Sequence, residues 1–420
     1  MARILIGVTG GIAAYRSLEL ARLTTKAGHS VRVLMTPSAK HFVGAASFEG
    51  IVGAPVLTDE FERDPARGTF PGSPQPDHDP IGHLAIVESA DAYLIAPASA
   101  NTLAKLAAGI ADSMVTTAFL ACSAPRAVAP AMNDRMYRDA ATQANLATLR
   151  ARGVEVIEPE TGPLASRGEH GTGRLPQPDR LLSAVEGLIP SHGPWDGLNV
   201  LVTAGGTREP IDAVRYVGNR SSGRMGLALV DAARRRGAEV TLVAANVELS
   251  EPYGVKRINV ESAAELAQAS RAELPAANLV LMAAAVSDFR PAAAREGKIR
   301  REESEPVKLD LEPTEDVLAA LARERSPGQM LVGFAAEHGG DAIANARRKL
   351  KRKDVDAIIV NDVSKPGIGF DAEENEVVVV TAATEHRIDQ ASKASVAESI
   401  CAQLDPILRG LDSSHQQLQR

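Results

Sequence analysis

Apolar residues fall along this chain in short runs separated by amphipathic stretches, and the alternation starts twice. Over the first half, RILIGVT, SVRVLMT, AYLIAPA, AVAPA and VEVIEP have strand length, while SLELARLTTKAG and NTLAKLAAG repeat apolar positions at helical spacing. Near-continuous apolar strands alternating with helices predict a parallel sheet wrapped by helices, with ligands at the carboxyl ends of the strands. The segment Asp64 to Pro80 breaks the pattern with five prolines and is expected to be an irregular, mobile excursion. SHGPWDG at Ser191–Gly197 reads as a linker. The second alternation follows as NVLVTAGG, SSGRMGLALVDAARRRG, AEVTLVAANV, ELAQASRAEL, LVLMAAAVSDF, MLVGFAAE and VDAIIVND. It closes with the strand EVVVVTA, a helix near Ala394–Leu408 and a polar tail after Gly410 expected to be disordered. The pattern predicts an α/β chain: a doubly wound parallel sheet over 1–190, then a second Rossmann-like α/β domain over 191–420, joined at about 189–197.

Composition narrows the function classes. At 420 residues the chain exceeds what one core usually supports, so more than one domain is expected. Aromatic residues make up 3% of the chain and the net charge is −7, which argues against base stacking and against a basic field for nucleic acid or anionic membrane. No run of 18 apolar residues occurs and MARILIGVTGG lacks a cleavable signal pattern, so a cytoplasmic location is expected. Two cysteines, Cys122 and Cys401, are too few for a disulfide framework or a thiolate zinc site, and Cys122 at the end of TTAFLACSAP is expected to be buried.

The candidate chemistry sits at predicted strand ends. GVTGGIAAY, with Gly10 and Gly11, and VTAGGTREPID each join an apolar strand to a helix; glycines there let backbone N–H groups approach an anion, and the helix adds its positive end. A tight strand-to-helix connection is the alternative for each turn. Beside the first turn stand Ser38 in TPSA, Ser99 and Asn101 in APASAN, and Asn133 in PAMN. Such hydroxyls and amides either hold phosphate and ring edges or cap helices. His83, in IGHLAIVESAD after the proline-rich segment, is either structural or catalytic.

GVTGGIAAY, GHLAIVESAD, APASANTLAKLAAGIAD, PAMNDRMY and GTGRL together resemble the flavin-dependent decarboxylases that make 4′-phosphopantetheine from phosphopantothenoylcysteine, over residues 2 to about 188. The resemblance implies a flavodoxin-like fold that binds FMN, with His83 as the active-site histidine and Asn133 holding the substrate carboxylate. It also implies homo-oligomers built from trimers, assembling further to dodecamers, with His83 near a subunit boundary. A flavin that oxidises the cysteine thiol gives the departing carboxylate its electron sink. One position departs from the family. Its flap carries a cysteine that protonates the enethiolate, whereas LASRGEHGTGRL places Ser166 there, a much weaker acid. Glu169 and His170 lie in the same flap.

The second half carries its own set. Ser221 and Ser222 in VRYVGNRSSGRMG precede a helix, Asn219 precedes them, and Asp288 in AAAVSDF is a candidate Mg²⁺ ligand. Lys298 lies in GKIRRE, and Lys349 and Lys353 share a helical face. A solvated basic face is the alternative for that helix. Residues 197 to about 408 resemble bacterial phosphopantothenate–cysteine ligases, which use CTP. The resemblance implies that Asn219 contacts the acyl-cytidylate, that Lys298 supports its formation, and that CTP touches Met282, Ala283, Ala284, Asp288, Phe334, Lys349 and Lys353. Cations and Mg²⁺ are what this transfer needs, because carboxylate and triphosphate repel each other. The two halves in this order resemble a bifunctional coenzyme A biosynthesis protein whose substrates are 4′-phosphopantothenate, cysteine and CTP. The alternatives are a flavin-binding protein with an active ligase and an impaired decarboxylase, and a flavoprotein whose second half only binds.

Overall fold

The computed structural model describes residues 1–165, 168–189, 193–249, 251–252, 254–299, 308–337, 341–362 and 372–418, with side chains to 408. Two compact units divide the chain, Met1–Pro190 and Ser191–Arg420.

In the first unit the apolar runs become a five-stranded, all-parallel sheet. From one edge to the other its strands are Ser30–Met35, Arg3–Val8, Ala92–Ala98, Arg126–Pro130 and Glu155–Val156. In chain order this is 2-1-3-4-5, the flavodoxin arrangement, whose winding reverses between the first and third strands. Every residue of Ala92–Ala98 is buried, because helices cover both faces. The helix Ala100–Ala108 starts where the Ser99 hydroxyl accepts the Thr102 N–H, and it ends at Gly109 in the left-handed region. Cys122 is buried, as its apolar run predicts.

The proline-rich segment is irregular, as expected, but it is pinned rather than loose. Arg32, central in an otherwise apolar edge strand, is fully buried and donates to both Asp64 carboxylate oxygens at 2.9 and 3.0 Å. Arg32 also donates to the Thr69 carbonyl at 2.6 Å, and Asp64 accepts the N–H groups of Ala66 and Gly68. Phe70 is buried beneath the segment.

The second unit holds an eight-stranded mixed sheet. Its strands run Lys256–Val260, Glu239–Ala245, Asn199–Gly205, Leu279–Met282, Met330–Glu337, Ala357–Asp362, Glu374–Thr381 and Glu385–Ser392. The first six are parallel in chain order 3-2-1-4-5-6, the Rossmann arrangement, and the last two add antiparallel. Gly205 ends the first of these strands at φ +87°; a Cβ there would lie 1.9 Å from the Ala245 carbonyl oxygen, so only glycine fits. Two expectations are corrected. Trp195, inside the expected linker, is fully buried in the second unit and donates to Asp405 at 2.7 Å. The last helix runs Lys393–Leu418, through the stretch expected to be a disordered tail.

Candidate functional site

The sheet order places a crevice between the carboxyl ends of Arg3–Val8 and Ala92–Ala98, where consecutive helices leave toward opposite faces. Thr9 ties the two ends together: its hydroxyl donates to the Pro97 carbonyl at 2.7 Å and accepts the Ser99 N–H at 2.9 Å. Gly10 and Gly11 follow. A Cβ on Gly10 would lie 2.7 Å from the Ser38 Cβ, so this cradle closes only around a residue without a side chain.

A cavity of about 640 Å³ opens at this point. Gly10, Gly11, Ser99 and Asn133 line it, together with apolar groups that include Ile12, Pro97, Ala131, Met132, Leu164 and Leu175. Its cations are Arg16, which sequence reasoning missed because a single arginine on a helix gives no spacing signal, and Arg174 of the GTGRL motif, to which sequence reasoning gave no role of its own. The hairpin of Glu160–Pro163 and His170–Arg174 forms one wall. It docks on the PAMN turn through Met132 N–H to the Gly173 carbonyl and Thr172 N–H to Asp134, at 3.0 and 2.7 Å. Asn133 does two jobs. Its Oδ1 accepts the Arg135 N–H at 2.8 Å, capping Asp134–Arg138, and its Nδ2 donates to the Glu169 carboxylate.

The other expected residues stand elsewhere. Ser38 packs behind Gly10, and Asn101 is exposed on the helix Ala100–Ala108, outside the lining. His83 lies in the first turn of the helix Gly82–Glu88 and is likewise outside the lining; its Nδ1 is buried without a hydrogen-bond partner. Ser166 lies outside the described residues.

In the second unit a cavity of about 740 Å³ sits beyond the carboxyl end of Leu279–Met282 and beside Phe334–Ala336 of the neighbouring strand Met330–Glu337. Thr203 and Thr207 shape its floor by accepting the Ala284 and Ser287 N–H groups at 3.1 and 2.9 Å. Asn219, Met282, Ala284, Asp288, Phe334, Lys349 and Lys353 all line it. The Asn219 amide donates to the Val286 carbonyl at 2.9 Å. Ala283 turns into a smaller adjoining hollow of about 100 Å³ shared with Ser221, Ser222, Asn361, Asn375 and Lys393. The last three escaped sequence reasoning because they come from separate strands and a helix start.

Lys349 and Lys353 are held by acids on the wall, Lys349 by Glu337 at 2.6 Å and Lys353 by Asp316 at 2.9 Å. Burial pushes the Glu337 carboxyl up, but Lys349 and the Asn345 amide outweigh it and hold it below its ordinary value. Among the described residues no three His, Cys, Asp or Glu side chains converge as a metal site. Asp288 lines the cavity together with the carboxylates of Glu315 and Asp316.

Lys298 is exposed and does not line this cavity. Its neighbour Ile299 is clamped: the Ile299 N–H donates to Asp212 at 3.1 Å and its carbonyl accepts from Arg215 at 2.9 Å. Burial raises the Asp212 carboxyl, but the N–H groups of Val214, Ile299 and Arg215, with the Arg215 charge, hold it below the usual carboxylate range. A depressed value contributes stability above the unfolded-state value, lost as pH falls through the folded one. Wild type is therefore expected to lose stability relative to Asp212→Asn only below about pH 4 in acid titrations of the unfolding midpoint. A gap between the two that stays constant down to pH 2 contradicts this.

Two family models match the chain: the flavoprotein family over residues 1–190, and the DNA/pantothenate metabolism flavoprotein C-terminal domain over residues 195–407. The chain is 41% identical over 425 residues to the coenzyme A biosynthesis bifunctional protein of Mycobacterium tuberculosis strain H37Rv, covering 98% of each. It is 42% identical to that of Mycolicibacterium smegmatis, covering 98% of this chain and 99% of the relative. With that of Vibrio vulnificus strain YJ016 the identity is 38%, covering 97% and 98%.

Proposed function

This chain belongs to the family of bifunctional coenzyme A biosynthesis proteins, and on that premise we propose that its second unit joins 4′-phosphopantothenate to cysteine and its first unit decarboxylates the product. The observation that carries the proposal is that each sheet opens at the carboxyl ends of its strands into a cavity lined by part of the expected set, Gly10, Gly11, Ser99 and Asn133 in the first and Asn219, Met282, Ala284, Asp288, Phe334, Lys349 and Lys353 in the second.

The first cavity fits FMN. The Gly10 cradle and the start of the helix Ala100–Ala108 suit its phosphate, Arg16 and Arg174 supply charge, and the apolar walls suit a flat ring. When bound, FMN supplies the electron sink that lets a carboxylate leave as CO₂. Asn133 orients that carboxylate, Met132 and Leu164 keep water from it, and the hairpin covers it. Since His83 lies outside its own cavity lining and its Nδ1 is buried without a partner, we assign it to the cavity of a neighbouring copy in a homo-oligomer.

The second cavity fits CTP with Mg²⁺. Lys349, Lys353 and Asp288 surround space large enough for a nucleotide, and the adjoining hollow with its helix start at Arg224 suits the substrate phosphate. Asn219 holds the activated carboxyl while the cysteine amine attacks.

The two activities are separable by assay. Wild type is expected to release CO₂ from phosphopantothenoylcysteine and pyrophosphate from CTP plus phosphopantothenate. His83→Asn is expected to keep flavin and pyrophosphate release while CO₂ release falls at least about a hundredfold, as for loss of a general acid or base. CO₂ release unchanged in that variant removes His83 from the reaction. Pyrophosphate release without any CO₂ release in wild type leaves an active ligase with a silent decarboxylase, the outcome that Ser166 raises. In that case Ser166→Cys is the restoring variant.

A further inference from the structure

Within the first cavity, the Asn133 amide is already satisfied by a carboxylate of the chain itself. Its Oδ1 is committed to the Arg135 N–H, which fixes the amide so that Nδ2 points into the cavity, where it donates to Glu169. Glu169 belongs to the hairpin wall, immediately before the strand His170–Arg174, and its backbone carbonyl accepts the Leu164 N–H at 3.0 Å across the hairpin tip. Its backbone is thus fastened independently of its side chain.

We propose that Glu169 is a built-in stand-in for the substrate carboxylate: it holds the Asn133 amide and yields it only to a ligand that brings a carboxylate. The inference rests on the assignment of Asn133 to the substrate carboxylate made above. A ligand carboxylate that took only the second Nδ2 hydrogen would sit beside the Glu169 charge in an apolar-walled cavity, where like charges repel strongly. Glu169 therefore has to swing away, and its side chain can do so without undoing the hairpin. Arg16 and Arg174 line the same cavity and are the cations available to receive the displaced charge.

The consequence is discrimination between substrate and product. A ligand that has lost CO₂ no longer competes for the amide, so Glu169 returns to Asn133 and the half-buried donor keeps a partner. The stand-in weakens binding of the carboxylate-bearing ligand and leaves that of the decarboxylated ligand alone. Glu169 is thus a specificity-determining residue.

The test uses full-length, flavin-loaded protein and two unreactive probes measured by calorimetry: the S-methyl thioether of phosphopantothenoylcysteine and the same thioether without its carboxylate. Blocking the sulfur prevents turnover, so binding alone is read. Glu169→Ala is expected to tighten the carboxylated probe about tenfold, the worth of one hydrogen bond to a charged group, with the decarboxylated probe within twofold of wild type. An unchanged or weakened carboxylated probe, or equal tightening of both, overturns the proposal. Asn133→Asp separates this from the underlying assignment, since aspartate keeps the helix cap but has no donor. If it weakens only the carboxylated probe while Glu169→Ala changes nothing, the stand-in is wrong and the Asn133 assignment holds. If it leaves both probes unaffected, the assignment itself fails and the stand-in with it.

Discussion

Arg32→Ala is expected to destabilise the first unit by about 3–5 kcal/mol, the cost of leaving one member of a buried ion pair alone. Asp64 would keep its charge in a site from which water is excluded, with only the N–H groups of Ala66 and Gly68 to compensate. The intact pair is not itself a large asset, because the Arg32 Nε is buried without a partner. Breaking it is costly all the same. The damage is expected to reach the chemistry. A Cβ on Gly68 would lie 2.3 Å from that of Ala85, so the pinned segment packs directly against the helix Gly82–Glu88, which carries His83. Loosening it should lower the unfolding midpoint and CO₂ release together and leave pyrophosphate release intact. Arg32→Met combined with Asp64→Asn removes both charges and should be more stable than Arg32→Ala. An Arg32→Ala protein with the wild-type midpoint would show that Asp64 finds solvent or another cation, contrary to its burial.

That pair also marks where sequence reading stops. The central strands were legible because burial on both faces makes them continuously apolar, and the glycine turns were legible because both fall at the reversal points of their sheets. Arg32 and Asp64 were not, since a charge pair 32 positions apart carries no periodic signal and charged residues are ordinarily solvated. The edge strand Glu385–Ser392 escaped for a related reason. Only Ile388 in it is buried, so EHRIDQAS shows neither an apolar run nor a full alternation. Lys256–Val260, at the opposite edge, is likewise half exposed. The tail after Gly410 is polar, and polarity alone does not prevent a helix from continuing once its first turns are packed, as Val396, Ile400 and Leu404 are. At the sites, motif spacing found residues that belong to the turns and missed those delivered by distant elements, such as Asn361, Asn375 and Lys393. The flap shows the same limit: Glu169 was visible there, but its partner Asn133 stands 36 positions away.

Lys298→Gln is expected to slow pyrophosphate release by about 10²-fold, roughly 3 kcal/mol, the loss from removing one preorganised donor to a developing anionic centre. The expectation comes from the family pattern and meets a structural complication. Lys298 projects outside the cavity, while Lys349, Arg352, Lys353 and Arg220 line it. Yet the backbone beside Lys298 is clamped to Asp212 and Arg215, on the segment that follows the second glycine turn and leads to the lining residues Gly218, Asn219 and Arg220. Lys349 and Lys353 begin paired with Glu337 and Asp316, and part of their attraction for a triphosphate is spent in displacing those acids. Among the described residues Lys298 has no ion pair to break in this way, which is why its removal is expected to act on the transition state more than on nucleotide affinity, lowering kcat with the KM for CTP nearly unchanged. Lys349→Gln is expected to raise that KM instead. Asn219→Ala should leave the first burst of pyrophosphate intact and slow amide formation with cysteine, because its amide faces the cavity beside Val286 and carries no charge to offer the phosphate. A normal burst in Lys298→Gln with a lost burst in Lys349→Gln would transfer the catalytic role to the residue already inside the cavity.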